Sequence, residues 1–132
     1  MTLVDSNVLL DVFSRTQDWW QWSLRQLEYA ALQGPLLIND VIYAETSIRF
    51  QAIQEFDEAL SEAGVTMMPI PKAALFLAGK VFTRYRNAGG TRSGVLPDFF
   101  IGAHAQVGQL PLLTRDVRRY RSYFPTMNLI AP

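Results

Sequence analysis

Four carboxylates follow or flank the apolar runs of this sequence. Asp5 ends the first run, in Leu3-Val4-Asp5-Ser6-Asn7. Glu45 follows a second, in Ile42-Tyr43-Ala44-Glu45, and Asp98 stands directly after Pro97. Asp116 ends a third, in Leu112-Leu113-Thr114-Arg115-Asp116. Carboxylates supply charge and hard oxygen, the ligands that magnesium and manganese prefer. Crowded acids repel one another and lose hydration, so a fold that gathers them does so at a cost unless a cation neutralises them. An ion held there could activate water against a phosphodiester bond. Asp5 and Asp98 are the first choice for direct ligands. Glu45 and Asp116 would hold waters, a second ion or the attacking water.

Each acid alone has a plainer reading. Asp5 and Asp98 could be helix N-terminal charges, and Asp116 a turn residue or cap. It is the four together, each beside a strand end or helix start, that argue for a site. Ser6 and Thr114 find no histidine partner, so a serine-type triad is unsupported. Their hydroxyls could orient Asp5 and Asp116, and Asn7 could hold the Asp5 loop. Asp11 reads equally as a support to the site or an exposed position. His104, the one histidine, lies in Gly102-Ala103-His104-Ala105 and reads as packed or capping.

Alternating elements must position these acids. Strands are expected at Thr2–Asp5, Leu36–Asn39, Val65–Met68 and Leu112–Thr114, with Met127–Ile130 as a fifth strand or edge segment. Ser6 or Asn7 would cap the first helix, and Asp40 the helix carrying Glu45. Further helices are expected at Asp18–Gln33, Gln51–Glu62, Pro71 to about Asn87, Pro97–Gln106 and Val117–Phe124. Ala88–Leu96, with three glycines around Thr91, Arg92 and Ser93, reads as a mobile loop. Strands alternating with helices imply a parallel sheet covered on both faces, with strand ends collected along one edge. In Asp18–Gln33, Trp20, Leu24, Leu27 and Ala31 form the expected inward stripe. Trp19 and Trp22 then project elsewhere, either packing on a neighbouring element or anchoring a partner.

The 132 residues suggest one domain spanning 1–132. With 49% hydrophobic and 18% charged residues the chain reads as globular. It has no cysteine, which excludes disulfides, thiolate metal sites and a cysteine nucleophile. No signal peptide and no apolar run of membrane-spanning length is evident, so a soluble cytoplasmic protein is expected. The zero net charge conceals an asymmetry. Residues 1–70 carry three basic and ten acidic side chains, residues 71–132 nine basic and two acidic. Arg84, Arg86, Arg92, Arg115 and Arg119 would form a positive rim for a polyanion beside the acidic pocket; the alternative is a set of solvated helix faces.

The segments Val4-Asp5-Ser6-Asn7-Val8-Leu9-Leu10-Asp11, Ala44-Glu45, Leu96-Pro97-Asp98-Phe99-Phe100-Ile101-Gly102-Ala103-His104-Ala105 and Leu113-Thr114-Arg115-Asp116-Val117-Arg118-Arg119-Tyr120 resemble those of the PIN-domain ribonucleases, most closely the VapC toxins. The ending, through Tyr123-Phe124-Pro125 and Leu129-Ile130-Ala131-Pro132, is similar too. The resemblance implies an α/β/α sandwich around a mainly parallel sheet of four or five strands. It implies Mg2+ or Mn2+ dependence, endonucleolytic RNA cleavage, and a quartet at Asp5, Glu45, Asp98 and Asp116. It further implies a homodimer and a VapB-like antitoxin that blocks the site. A receiver domain would need an aspartate ending the third strand, where Met67-Met68-Pro69 stands, and a late lysine. A haloacid-dehalogenase-like phosphatase would need an aspartate where Asn7 stands. A non-catalytic antitoxin- or nucleic-acid-binding module of the same fold is the stronger rival.

Overall fold

Short apolar runs form the strands, and the three inner ones are buried on both faces, as the interior of a parallel sheet requires. The computed structural model describes residues 1–92 and 94–132; Ser93 of the expected loop lies outside them. The strands are β1 (Thr2–Val4), β2 (Leu36–Ile38), β3 (Val65–Met67), β4 (Leu112–Leu113) and β5 (Leu129–Ile130). All pair in parallel, in the order β3-β2-β1-β4-β5. Among the described residues seven helices flank the sheet: α1 (Ser6–Ser14), α2 (Trp20–Gln33), α3 (Asp40–Ser47), α4 (Ile53–Glu62), α5 (Lys72–Asn87), α6 (Leu96–Gly108) and α7 (Val117–Arg121). The architecture is an α/β/α sandwich. Its core joins Leu3, Val4, Leu112 and Leu113 of the sheet to Val8, Ile42, Ile101 and Phe124 around it.

Most strands stop one residue short of the expected end, and the two N-caps fall one residue earlier than expected. In β1 and β2 the residue after the strand is the cap itself. Asp5 ends β1 and caps α1, its carboxylate accepting from the Ser6 amide at 2.7 Å. Asn39 likewise caps α3, accepting from the Ile42 amide at 3.0 Å, while Asp40 sits in the first turn. A short polar side chain gains more from the orphan amides of a helix start than from extending an edge of the ladder.

In α2 the inward stripe is Ser23, Leu27 and Ala30, not Trp20 and Ala31. Ser23 belongs to that stripe because its hydroxyl donates at 2.6 Å to Asp11 of α1, which is buried and needs a partner. Trp22 packs against the core, and Trp19 meets it edge-on at 5.9 Å. Trp19 also carries the Arg115 guanidinium over its ring at 5.0 Å. Both tryptophans outside the expected stripe are thus engaged within the chain.

Candidate functional site

β1 is the central strand, and the order of strands reverses between β1 and β4. Ligand sites of open α/β sheets form outside the carboxyl ends of the strands at such a reversal. Register aligns Val4 with Leu113, so the residues that follow, Asp5 and Thr114, emerge side by side. The Asp5 amide donates to the Leu113 carbonyl at 2.9 Å, and the Thr114 hydroxyl donates to Asp5 Oδ2 at 2.8 Å. Thr114 also accepts from the Asp116 amide at 3.1 Å, tying the two acid-bearing turns together. Asn7 completes this junction: its Nδ2 reaches Thr114 Oγ1 at 3.3 Å and its Oδ1 accepts from the Arg115 amide at 3.2 Å.

Asp5 is buried, yet both its oxygens are served. Tyr120 donates its phenol to Oδ2 at 2.8 Å from within the core. Burial raises the Asp5 pKa above its usual value, and the bonds from Thr114, Tyr120 and Ser6 oppose that shift. Tyr120 is in turn pushed well above its ordinary range, by burial and by the charges of Asp5, Asp98 and Glu45. It therefore stays a donor. The sequence contained Tyr120 at the end of Arg118-Arg119-Tyr120, but nothing in a lone aromatic beside arginines signals a buried bond to an acid 115 positions away.

The other acids arrive on helices. Glu45 projects from α3, where the Ser6 hydroxyl donates to its Oε1 at 3.0 Å while lying 3.4 Å from Asp5. Burial and the Asp5 charge raise its pKa, and the Ser6 bond and Arg119 oppose the shift. Asp98 lies in the first turn of α6, where a negative charge complements the helix dipole. Its pKa is raised to about 6, chiefly by burial, and the charges of Asp5, Glu45 and Asp116 add to the rise while Arg119 opposes it. Asp116 caps α7, accepting from the Arg119 amide at 3.3 Å. The helices bearing Glu45 and Asp98 are cross-braced behind the site by the buried pair Asn39 Nδ2 and His104 Nδ1, 3.0 Å apart. Burial lowers the pKa of His104, so its Nδ1 is held ready to accept. The packed reading of this histidine is the one the structure shows.

The arginines of the expected rim occupy different settings. Arg119 is committed to the acids: its Nε lies 2.8 Å from Asp116 and its Nη1 3.2 Å from Asp98. It acts as a counter-cation bridging two of the four. Arg115 grips buried Asp11 through two bonds, of 2.7 and 3.0 Å. Asp11 is thus a strut joining α1, α2 and the β4–α7 turn, a role its flanking residues did not reveal. Arg84 and Arg86 lie exposed in the last turn of α5, Arg86 over the Phe82 ring at 5.2 Å. Arg92 is exposed in the following loop, its amide donating to the Tyr85 hydroxyl at 2.9 Å.

The donor set suits a hard divalent cation: four carboxylates, with one arginine paired to two of them among the described residues. As the side chains lie, no group of three or more acidic or histidine residues among the described residues is arranged around an ion position. Arg119 holds Asp98 and Asp116 toward itself in that arrangement.

The family model for the PIN domain matches residues 2–124, and the chain belongs to that family. Comparison with curated proteins gives no match. Among solved structures, the chain is similar to one in VapBC2 from Rickettsia felis bound to a promoter DNA fragment, with 17% identity, a TM-score of 0.75, and 99% of this chain and 98% of that chain covered. A toxin–antitoxin complex from Klebsiella pneumoniae gives 22% identity, a TM-score of 0.70 and coverages of 98% and 96%. VapBC-1 from nontypeable Haemophilus influenzae gives 15% identity, a TM-score of 0.71 and coverages of 98% and 96%. At these identities the likeness is one of fold.

Proposed function

We propose that this PIN-domain protein is a Mg2+- or Mn2+-dependent endoribonuclease, the VapC-type toxin of a toxin–antitoxin pair. The observation that carries the reading is the linkage of the four acids at the sheet's reversal point, Ser6 lying between Asp5 and Glu45 and Arg119 between Asp98 and Asp116. Family membership and the toxin–antitoxin complexes of similar fold support it. Asp5 and Asp98 would be the direct ligands, with Glu45 and Asp116 holding waters or a second ion. A bound ion supplies charge neutralisation at the scissile phosphate and lowers the pKa of water. The chain supplies the rest. Thr114, Tyr120 and Ser6 fix the Asp5 carboxylate, Ser6 sets Glu45 against it, and Asn39 with His104 holds the two helices in register. Arg84, Arg86, Arg92, Arg115 and Arg119 would include the phosphate contacts, the last two after release from Asp11 or from Asp98 and Asp116.

A VapB-like antitoxin and a second copy of the chain are the expected partners, the antitoxin supported by the similar folds found in VapBC complexes. Labelled RNA incubated with Mg2+ tests the enzyme reading. Cleavage is expected, abolished by EDTA and reduced roughly a hundredfold or more by Asp5→Asn or Asp98→Asn, with the fold retained. Cleavage at full rate in excess EDTA would refute it. RNA or antitoxin binding without any cleavage would favour the non-catalytic module.

A further inference from the structure

A small cavity of about 100 Å³ opens beside the acids, between α5, α6 and α7. One side is charged, formed by Asp98, Arg118 and Arg119. The other is aromatic, formed by Tyr85, Phe99 and Tyr123. These rings meet edge to face, Phe99 to Tyr123 at 5.1 Å, Tyr85 to Phe99 at 5.7 Å and Tyr85 to Tyr123 at 6.0 Å. Phe99 is buried and serves as the floor, while Tyr85 and Tyr123 are partly open.

The loop after α5 fixes Tyr85 from behind. The Gly90 amide donates to the Tyr85 carbonyl at 2.9 Å, and the Arg92 amide to its hydroxyl at 2.9 Å. Gly90 lies so close to the ring that any Cβ there would collide with it. A side chain held by one loop bond at its hydroxyl and by the glycine contact on its ring is preorganised, which lowers the ordering cost of binding a flat ligand.

We infer that this cavity is a nucleobase subsite: it takes one unstacked base of a single-stranded RNA whose adjoining phosphate lies at Asp98 and Arg119. Single-stranded RNA is recognised by splaying bases out onto aromatic side chains while cations follow the backbone. The cavity joins both features, and its Asp98 and Arg119 wall is continuous with the candidate site. Its small volume suits one ring system and not a base pair or a helix. Tyr85 and Tyr123 are then base-binding residues. The assignment rests on the ribonuclease reading and gives it a substrate class, unpaired RNA.

The test uses the full chain carrying Glu45→Gln, in Mg2+, and an eight-nucleotide oligouridylate against an abasic oligomer of equal length and charge. The two share every phosphate, so their ratio of dissociation constants isolates the bases, and a uniform sequence removes any question of register. A ratio of about fivefold to about a hundredfold is expected. Tyr85→Leu and Tyr123→Leu should bring it close to one, with Tyr123→Phe preserving it and Tyr85→Phe, which gives up the Arg92 bond, falling between. Ser122→Phe, at an exposed position on the rim, should block the cavity without touching the aromatic floor and lower the ratio likewise. Folding of each variant is read from its thermal melt. Tight binding with a ratio near one, or a ratio unmoved by Tyr123→Leu and Ser122→Phe, overturns the subsite while leaving the nuclease reading standing. Failure to bind either oligomer overturns the subsite, and failure of the unmodified chain to cleave RNA in Mg2+ overturns the nuclease reading with it.

Discussion

At the scale of single residues the site is a balance between burial and donors. Asp98 shows the balance failing: burial and three neighbouring acids outweigh one arginine, and its pKa stands near 6. A carboxyl group whose folded pKa is raised is penalised once it ionises. The penalty is absent below the unfolded value of 3.8, grows between about pH 4 and 6, and is complete above. In EDTA, the melting temperature of Asp98→Asn minus that of the unmodified chain should therefore widen from pH 4.5 to 7.5. The expected change is on the order of 1–2 kcal/mol after allowance for solvent screening. His104, with its lowered pKa, pulls the absolute stability the other way, but it is present in both proteins and cancels. A constant difference across the range would show that Asp98 titrates normally.

Arg119 yields a second expectation at this scale. A guanidinium bound to Asp98 and Asp116 competes with any cation those carboxylates would hold. Calorimetric titration with Mn2+ should show tighter binding for Arg119→Gln than for the unmodified chain, by several-fold. The metal-free variant should melt lower, because the acids lose their one internal counter-charge. Weaker Mn2+ binding in the variant would mean that Arg119 supports the ion site and does not compete for it.

At the scale of elements, α6 depends on a glycine. A Cβ at Gly102 would collide with the Phe124 ring, which is buried in the core. Backbone and ring cannot both hold position, so Gly102→Ala should cost about 1–3 kcal/mol and lower the melting temperature by several degrees. Because α6 carries Asp98 at its start, metal affinity should weaken as well. An unchanged melt would show that Phe124 can move aside freely. In α3 the opposite holds: the Thr46 hydroxyl is buried with no hydrogen-bond partner among the described residues. Thr46→Val keeps the shape and removes the unpaired group, so it should match or exceed the parent in thermal stability.

Element types were legible because short apolar runs and helical periodicity report burial directly, and the acids were visible through their places beside those runs. What stayed hidden depends on long-range pairing. Asn39 and Asp5 look like strand ends until a helix start claims them. Asp11 looks like a surface acid until Ser23 and Arg115 close on it. The tryptophans cannot be phased from α2 alone, since the inward stripe joins Leu27 and Ala30 to a polar residue, Ser23, whose partner Asp11 lies on another helix.

At the scale of the whole molecule, acidic and basic halves of the sequence meet at one sheet edge. The first half supplies Asp5 and Glu45. The second supplies Asp98 and Asp116 together with nine of the twelve basic side chains. The reversal between β1 and β4 is what joins them. An acidic crevice alone would repel the proposed RNA substrate, so that reading calls for a surrounding positive field to deliver it. Contacts of that kind release counterions, and affinity then falls steeply with salt. For the Glu45→Gln chain, a plot of log affinity against log salt should have a slope of about −2 to −4 if three to five arginines meet phosphate on a single strand. Arg84→Glu and Arg92→Glu, at exposed positions free of ion pairs to the four acids, should each weaken RNA binding and shallow the slope by about one. Arg115→Glu should do more than lose a phosphate contact: it leaves buried Asp11 facing a second negative charge, so its melting temperature should fall as well. That difference separates an arginine that only steers from one that also braces the fold. A slope near zero in the parent would remove the positive rim from the account of how RNA reaches this site.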